Sequence, residues 1–422
     1  MSEWESIELK ELTTKIGSGA TPRGGQEAYK SEGISLIRSQ NILDFSFSYN
    51  GLAFIDEDQA FALRNVEVQE NDILINITGD SVARVAKVPN EVLPARVNQH
   101  VSILRSNKGK LDPDYLLYYL LNPIIKKHLL RIASDGATRN ALTKSDLEDL
   151  IIQAPKDVED QREIAKTINV YDRKIKLLRE QNQTLEELAQ TLFKRWFIEF
   201  EFPNENGEPY KRSGGLMVES ELGEIPEGWS VGIVKDLIQI PSGHAFKSKN
   251  FDSQGKYKLI TIKNVQDGIV VTNKTECISN LPSNLKKHCV LKTGDILLSL
   301  TGNVGRVGIV CESDLLLNQR VGLLRPIKEV NRAYTYLLFR GNEMKYKLIT
   351  NARGTAQANL SPVETENLEV VIPNEKVLLE FSSKCDPIYN KLIVNNEEIQ
   401  SLTQLRDTLL PKLMSGELRV KE

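Results

Sequence analysis

The sequence predicts an α+β chain: two similar mixed α/β heads joined by two long antiparallel coiled-coil helices, with an internal pseudo-two-fold symmetry. Three observations carry this. One long stretch free of Pro and Gly has a narrow apolar seam. The same helix recurs near the C-terminal end. Nearly everything before the first helix recurs, in order, before the second.

The first helix is read over Gln161–Glu199. Its apolar residues fall at Ile164, Ile168, Tyr171, Ile175, Leu178, Leu185, Ala189, Leu192 and Trp196, with Asn182 as the one polar interruption. Steps of four and three residues alternate, which is the seam of a coiled coil rather than one broad apolar face. At 1.5 Å per residue the element spans roughly 58 Å and needs a partner along its stripe. Glu375–Gly416 supplies it, with Phe381, Cys385, Ile388, Leu392, Asn395, Ile399, Leu402, Leu405, Leu409 and Leu413 in the seam. Pro387 and Pro411 are expected to kink or end helical segments there. Antiparallel pairing with residue i opposite 577 − i sets Asn182 against Asn395, Leu185 against Leu392, Leu178 against Ile399 and Leu192 against Cys385. A shift by one heptad would leave both amides buried without partners, which selects this register. The helix-pair interface is therefore expected at Ile175, Leu178, Asn182, Leu185, Leu192, Leu392, Asn395, Ile399, Leu402 and Leu409, with the heads at opposite ends of a rod.

The heads repeat segment by segment. Trp4 and Trp229 each open a head. ISLIRSQNI (34–42) matches YKLITIKNV (257–265), and NDILINITGDSVARVAKV (71–88) matches GDILLSLTGNVGRVGIV (294–310). VNQHVSILR (97–105) matches LNQRVGLLR (317–325), and GATRNALTKSDLEDLIIQAP (136–155) matches GTAQANLSPVETENLEVVIP (354–373). Short β-branched or leucine-rich runs such as DILINIT and DILLSLT, bounded by Gly, Asn or Asp, read as strands. DYLLYYLLNPIIKKHLLRIAS reads as a helix interrupted at Pro123. The Gly-, Pro- and Glu-rich stretch before Trp229 reads as a linker. The resulting boundaries are 1–157 for the first head, 158–202 for the central helix, 203–227 for the linker, 228–374 for the second head and 375–422 for the distal helix.

Composition narrows the function classes. With 422 residues, 40% hydrophobic and 26% charged, the chain has an ordinary globular balance across more than one domain. No run of 18 apolar residues occurs, so no membrane span is expected. The four cysteines (Cys277, Cys289, Cys311 and Cys385) lack paired spacing and suit a reducing cytoplasm. A net charge of −3 disfavours a surface that is basic throughout but allows local basic clefts.

No catalytic constellation emerges. Phosphate-binding and dinucleotide glycine patterns are missing. Leu121-Asn122-Pro123-Ile124 lacks the aromatic that an amino-methyltransferase motif needs to stack on a flipped base. Asp172-Arg173-Lys174 resembles a nuclease fragment but falls on the flank of the heptad, as a solvated helix face would. Cys277, His288, Cys289 and Cys311 lack zinc-ligand spacing. A duplicated scaffold without chemistry points to recognition, and two unlike heads suit a target of two unlike halves. Candidate DNA contacts are the loop residues Thr21, Arg23, Arg38, Gln40, Asn41, Arg84, Asn98, Gln99, Arg139 and Lys144 in the first head. In the second they are Lys247, Lys263, Asn264, Asn303, Arg306, Asn318, Gln319, Arg320 and Gln357. Arg and Lys grip phosphate or guanine, and Asn and Gln suit adenine edges.

The chain resembles the specificity subunit of type I restriction–modification systems. The matching residues are Gly19, Thr21, Pro22, Arg38, Asn41, Gly79, Asn98, Gln99, Gly136, Thr138, Leu142, Thr143, Leu150, Pro155, Gln161 and Ile164. In the second half they are Gly243, Lys263, Asn264, Gly294, Asp295, Ile296, Gly302, Asn318, Gln319, Gly354, Leu360, Ser361, Leu368 and Pro373. Each motif is weak alone; their order, repeated twice over the whole chain, is specific. The resemblance implies that each head is a target recognition domain and that the helices fix the spacer between two half-targets. It further implies two methylation subunits alongside, bringing S-adenosylmethionine, and restriction subunits bringing ATP and Mg. The chain itself would bind double-stranded DNA, hold no cofactor or metal and have no catalytic residue. The competing readings are a stand-alone DNA binder, a catalytic methyltransferase or nuclease, and a structural spacer with protein partners.

Overall fold

The computed structural model describes residues 3–135, 140–352 and 358–419. The chain divides into two compact units, Met1–Lys176 with Ser401–Glu422, and Leu177–Gln400. Each unit is a head with portions of both long helices packed on it.

In the first unit, one four-stranded sheet runs in the order Thr13–Ser18, Val101–Ser106, Ile73–Asn76, Val85–Lys87. A second runs Ala53–Ile55, Ile34–Ile37, Ala95–Val97, Glu67–Val68, with Ile34–Ile37 and Ala95–Val97 parallel. Side chains alternate across a strand, so Ile73 and Ile75 face one core while Leu74 faces another. The first core also takes Tyr115, Leu116 and Leu129 from the head and Ile164, Ile168, Leu410 and Leu413 from the long helices. The second unit repeats this division. Ile296 and Leu298 face a core shared with Phe193, Phe381 and Leu392, and Leu297 faces a separate one with Leu323. Its parallel pair is Tyr257–Ile260 with Leu315–Leu317.

Local signals explain the element ends. Asn122 stands between the helices Pro113–Leu121 and Pro123–Asp135. Its Oδ1 accepts from the Ile124 amide at 3.0 Å, so Asn-Pro here is a helix start with Pro at the first position. Thr143 and Asp146 form a capping box, and Ser361 caps a helix that begins at Pro362. Gln161, only 1% exposed, fastens the first turn of the long helix to its head. Its Oε1 accepts from Asp112 N at 2.9 Å, and its Nε2 donates to Lys110 O and Pro155 O at 3.1 and 2.8 Å.

The long helices are Val158–Phe193, continuing as a π-helical turn over Lys194–Ile198, and Glu375–Met414. The second runs through both Pro387 and Pro411, contrary to the expected break. A mid-helix proline costs about 3 kcal/mol, and the buried neighbours Phe381, Cys385, Tyr389 and Leu392 hold the element on the head. Antiparallel pairing is visible inside the second unit, where Phe197 packs on Phe381 (ring centroids 4.8 Å apart) and Asn182 bonds Asn395. Ile175, Leu178, Leu392, Asn395 and Ile399 are buried; Asn182, Leu185, Leu192, Leu402 and Leu409 are partly buried.

The seam departs from the expected one at Leu405, which is 50% exposed, while Arg406 is buried. A nearly straight helix drifts from a strict heptad, so the buried face steps from Leu402 to Arg406, Leu410 and Leu413. Asp172 is not on a solvated face either. Its side chain is 17% exposed and accepts from Arg406 Nη1 at 2.8 Å. The Arg406 guanidinium carbon also sits 3.4 Å from the ring centre of Phe45 in the head. Residues 203–227 contain the short antiparallel pair Met217–Val218 and Ile225–Pro226. Nearby, Phe202 stacks on Tyr210 and Trp229.

Candidate nucleic-acid interface

In each head three turns meet around a short polar motif, Asn98-Gln99-His100 in the first and Asn318-Gln319-Arg320 in the second. The Asn98 amide donates to Ile37 O at 3.0 Å, and its Oδ1 accepts from the His100 amide at 3.1 Å, closing an Asx turn. Asn318 N donates to Ile260 O at 3.1 Å, the matching bond. Gly19 donates to Asn98 O at 3.1 Å, so close that an added Cβ would lie 1.6 Å from Val97 O. At Gly243 it would lie 2.3 Å from Leu317 O. These glycines are required by close backbone approach.

The second turn follows the central strand. Gly79 N donates to Asn140 O and Leu142 N to Ile77 O, at 3.0 and 2.8 Å. In the second head Gly302 N donates to Ala358 O and Leu360 N to Leu300 O, at 3.0 and 2.7 Å. The third turn is held by a buried asparagine. Asn41 takes Arg38 N on Oδ1 and gives Nδ2 to Ser48 O, at 3.0 and 2.9 Å. Asn264 does the same with Thr261 N and Val271 O, at 2.9 and 3.0 Å.

On this shared frame the exposed chemistry differs. In the first head Thr21 Oγ1 donates to Gln99 Oε1 at 2.7 Å, Gln99 Nε2 lies 2.9 Å from His100 Nε2, and Thr78 Oγ1 lies 2.6 Å from His100 Nδ1. In the second, Ser242, Leu300, Thr301, Gln319, Arg320 and Asn359 border an open depression of about 470 Å³. Thr301 Oγ1 donates to Asn359 Oδ1 at 3.1 Å. A threonine, an amide and a cation or imidazole thus converge at one place in each head, a set that can hydrogen-bond base edges or phosphate.

The structure sorts the candidate residues. Thr21, Arg23, Gln40, Gln99, Lys144, Lys247, Lys263, Asn303, Gln319 and Arg320 are exposed. Arg38, Arg84, Arg306 and Asn318 are partly buried. Arg38 bonds Gly51 O and lies over the Tyr29 ring, 5.0 Å from its centre, while Gln40 donates to the same carbonyl at 3.1 Å. Arg306 donates to Gln266 at 3.0 Å, and Lys144 pairs with Glu148 at 3.3 Å. Asn41, Asn98 and Asn264 are 0%, 7% and 4% exposed. They hold turns from beneath: the side-chain amides of Asn41 and Asn264 are committed to backbone at both ends, and Asn98 through its Oδ1. Arg139 and Gln357 lie outside the described residues. His100, Thr78, Thr301 and Asn359 were not singled out from sequence. The signal for His100 was its place opposite Arg320 in the VNQH–LNQR match.

Acid groups shifted by burial sit away from these turns, where head meets helix. Burial raises Asp172, opposed by Arg406, and burial pushes Tyr336 well up beside Glu186. Glu186 accepts from Tyr336 Oη at 2.6 Å and Arg340 Nε at 3.0 Å. Among the described residues no group of three His, Cys, Asp or Glu could hold a metal ion, and no helix is long and apolar enough to cross a membrane.

A family model described as "Type I restriction modification DNA specificity domain" matches residues 1–187 and again 226–404. The chain belongs to that family. It carries the specificity domain twice, and the family is one of specificity subunits, generally non-catalytic. The type I restriction enzyme MjaIX specificity subunit of Methanocaldococcus jannaschii is 26% identical over 426 residues, covering 100% of this chain and 94% of that protein. The HindI specificity subunit of Haemophilus influenzae is 24% identical over 471 residues, covering 99% and 100%. The crystal structure of the type I S subunit from M. genitalium has the same fold, with a TM-score of 0.58, 16% identity and coverage of 98% and 96%. The specificity domain and its relatives make this chain a DNA-recognition subunit of a type I restriction–modification complex.

Proposed function

We propose that the two heads read unlike halves of one asymmetric, bipartite double-stranded DNA target, and that the chain positions methylation and restriction subunits on it. The observation that carries this is the pair of turns Asn98–His100 and Asn318–Arg320: one backbone frame, different exposed side chains. The bases read by each head are set by Thr21, Gln99 and His100 in the first and by Gln319, Arg320 and Asn303 in the second. Lys247, Lys263 and Arg306 serve the phosphates, and Arg23, Arg84 and Lys144 make weaker contacts around the first head's turns. Arg38 and Gln40 shape the loop that carries them, and Asn41, Asn98, Asn264 and Asn318 hold the turns.

Two methylation subunits dock alongside, bringing S-adenosylmethionine and the adenine methylation chemistry; restriction subunits bring ATP and Mg in the cytoplasm. The chain holds no cofactor of its own. Docking is supported by apolar residues that both long helices leave uncovered: Leu177, Leu188, Val394 and Leu405 are 59%, 49%, 50% and 50% exposed. Leu177 matches Val394 in the repeat, and Leu188 matches Leu405. These positions, equivalent in the two halves, are where a matched pair of protein partners would bind.

The test is co-expression with the neighbouring adenine methyltransferase subunit, followed by long-read mapping of methylated adenines across the genome. A motif of two unlike halves with a fixed gap is the expected result. No motif, together with failure of the two subunits to co-purify, would replace this reading with a stand-alone DNA binder.

A further inference from the structure

Between matched landmarks, Gly19 to Asp72 in the first head and Gly243 to Asp295 in the second, the two loop regions have opposite charge. The first holds four Lys or Arg against eight Asp or Glu; the second holds nine Lys against three. Two of the nine, Lys256 and Lys258, pair with Asp314 and Glu312 at 3.4 and 2.8 Å. Five others are exposed and gather around the Asn318–Arg320 turn through the backbone. Gln319 N donates to His244 O at 3.0 Å, which holds the loop bearing Lys247 and Lys249. Asn318 N donates to Ile260 O, which holds the turn bearing Lys263. His288 Nε2 lies 3.0 Å from Ser242 O, at the rim of the depression, which fixes the turn bearing Lys286 and Lys287. All five lysines are exposed.

In the first head the corresponding cations are fewer and more occupied. Lys30 pairs with Asp56 at 3.6 Å, Arg64 lies over Phe61, and Arg38 is tied to Gly51. Exposed carboxylates, Glu27, Glu57 and Asp58 among them, surround them. A protein gains sequence-independent DNA affinity in proportion to the phosphates it neutralises, by releasing condensed counterions. Facing one and the same polyanion, the two heads therefore cannot contribute equally.

We infer that the second head is the electrostatic anchor of this subunit, supplying most of the phosphate-dependent, sequence-independent grip. The first head adds base contacts with little salt dependence of its own. This inference rests on the DNA-reading role proposed above and divides its energetics between the heads. The order of engagement follows: the second head holds any duplex, and the first selects.

The experiment measures Kd against salt for the full chain in complex with its methylation subunits, using a duplex of random sequence and fluorescence anisotropy. One variant combines Lys247→Gln, Lys286→Gln and Lys287→Gln. The other removes the same charge from the first head with Arg23→Gln, Lys30→Gln and Lys144→Gln. All six side chains are exposed, so both variants keep the fold. For the second-head variant the slope of log K against log salt falls by about two to three, and the affinity ratio between about 50 and about 200 mM salt shrinks about 40-fold. For the first-head variant the slope falls by less than about one. Equal losses, or a larger loss from the first-head variant, would overturn the inference while leaving DNA reading intact. No binding of any duplex by the unmodified complex at low salt would overturn both.

Discussion

The Nδ2 of Asn395 donates to the Oδ1 of Asn182 at 2.8 Å, and Asn182 Nδ2 in turn donates to Asn396 Oδ1 at 3.1 Å. Asn395 is fully buried and also reaches Gln181 Oε1 at 2.8 Å, so the helix pairing closes around one polar layer between apolar ones. A slip by a turn would bury amides against leucine or isoleucine. The layer costs some stability and fixes the register.

Replacing one member of that layer is therefore worse than replacing both. Asn395→Leu leaves the Asn182 Oδ1 without its donor and costs about 1–3 kcal/mol. Adding Asn182→Leu recovers most of the loss. The check is a double-mutant cycle in urea, following Trp196 and Trp229 in a Trp4→Phe background. A coupling near zero would show that the layer does not specify the register.

Arg406→Leu removes the cation that compensates buried Asp172. Breaking a buried pair from one side costs about 3–5 kcal/mol at neutral pH. Burial already raises Asp172, and Arg406, ahead of the Tyr118 hydroxyl, pulls it back. Without it the folded state holds a proton more tightly than the unfolded state, whose carboxyl titrates near about 3.9. Stability then falls as pH rises from that value through the raised folded one. The variant's deficit is expected to be largest at neutral pH and to shrink towards pH about 4, as read by thermal unfolding across that range.

Gly19→Ala places a methyl where Val97 O already stands, and Gly243→Ala meets Leu317 O and Asn318 O in the same way. Each substitution should displace the recognition turn of its own head only. In methylome mapping, Gly19→Ala should degrade one half of the motif and Gly243→Ala the other. If both halves fail together, the two turns do not read separately.

Gln99→Ala and Arg320→Ala should each weaken target binding by about 1–3 kcal/mol and relax preference in one half only. Competition between duplexes altered in one half at a time measures this. His100→Arg, which gives the first turn the cation of the second, should change the first-half preference and leave the second as it was.

Much of the scaffold was legible because its signals are periodic or repeated. Seam spacing located both long helices, and the two asparagines located their register. Repetition of NDIL and GDIL, or VNQH and LNQR, paired strands and turns across the halves. The interruption expected at Pro123 falls at the boundary between two helices, the second of which begins at that proline. The seam beyond Leu402 was not legible, because a sequence written in heptads does not show where a helix drifts out of phase. Leu405 was accordingly placed in the seam, where the structure instead buries Arg406 as the partner of Asp172.

The recognition turns divide in the same way. Sequence placed Asn41, Asn98, Gln99, Asn264, Asn318 and Gln319 in two repeated turns, and the comparisons assign the chain to the specificity family. A polar residue that holds a turn and one left exposed beside it are both simply loop polars in the sequence. What separates them is which carbonyl lies within about 3 Å of the amide. Tertiary structure alone decided that Asn41 and Asn264 face inwards to Ser48 O and Val271 O while Gln99 and Gln319 face out. The sequence by itself determined the duplication, the long helices and their register, since apolar periodicity and the cost of an unpaired amide act along the chain. Exposure is set by segments far apart in sequence closing over one another, so only the folded chain decided which polar groups are left exposed.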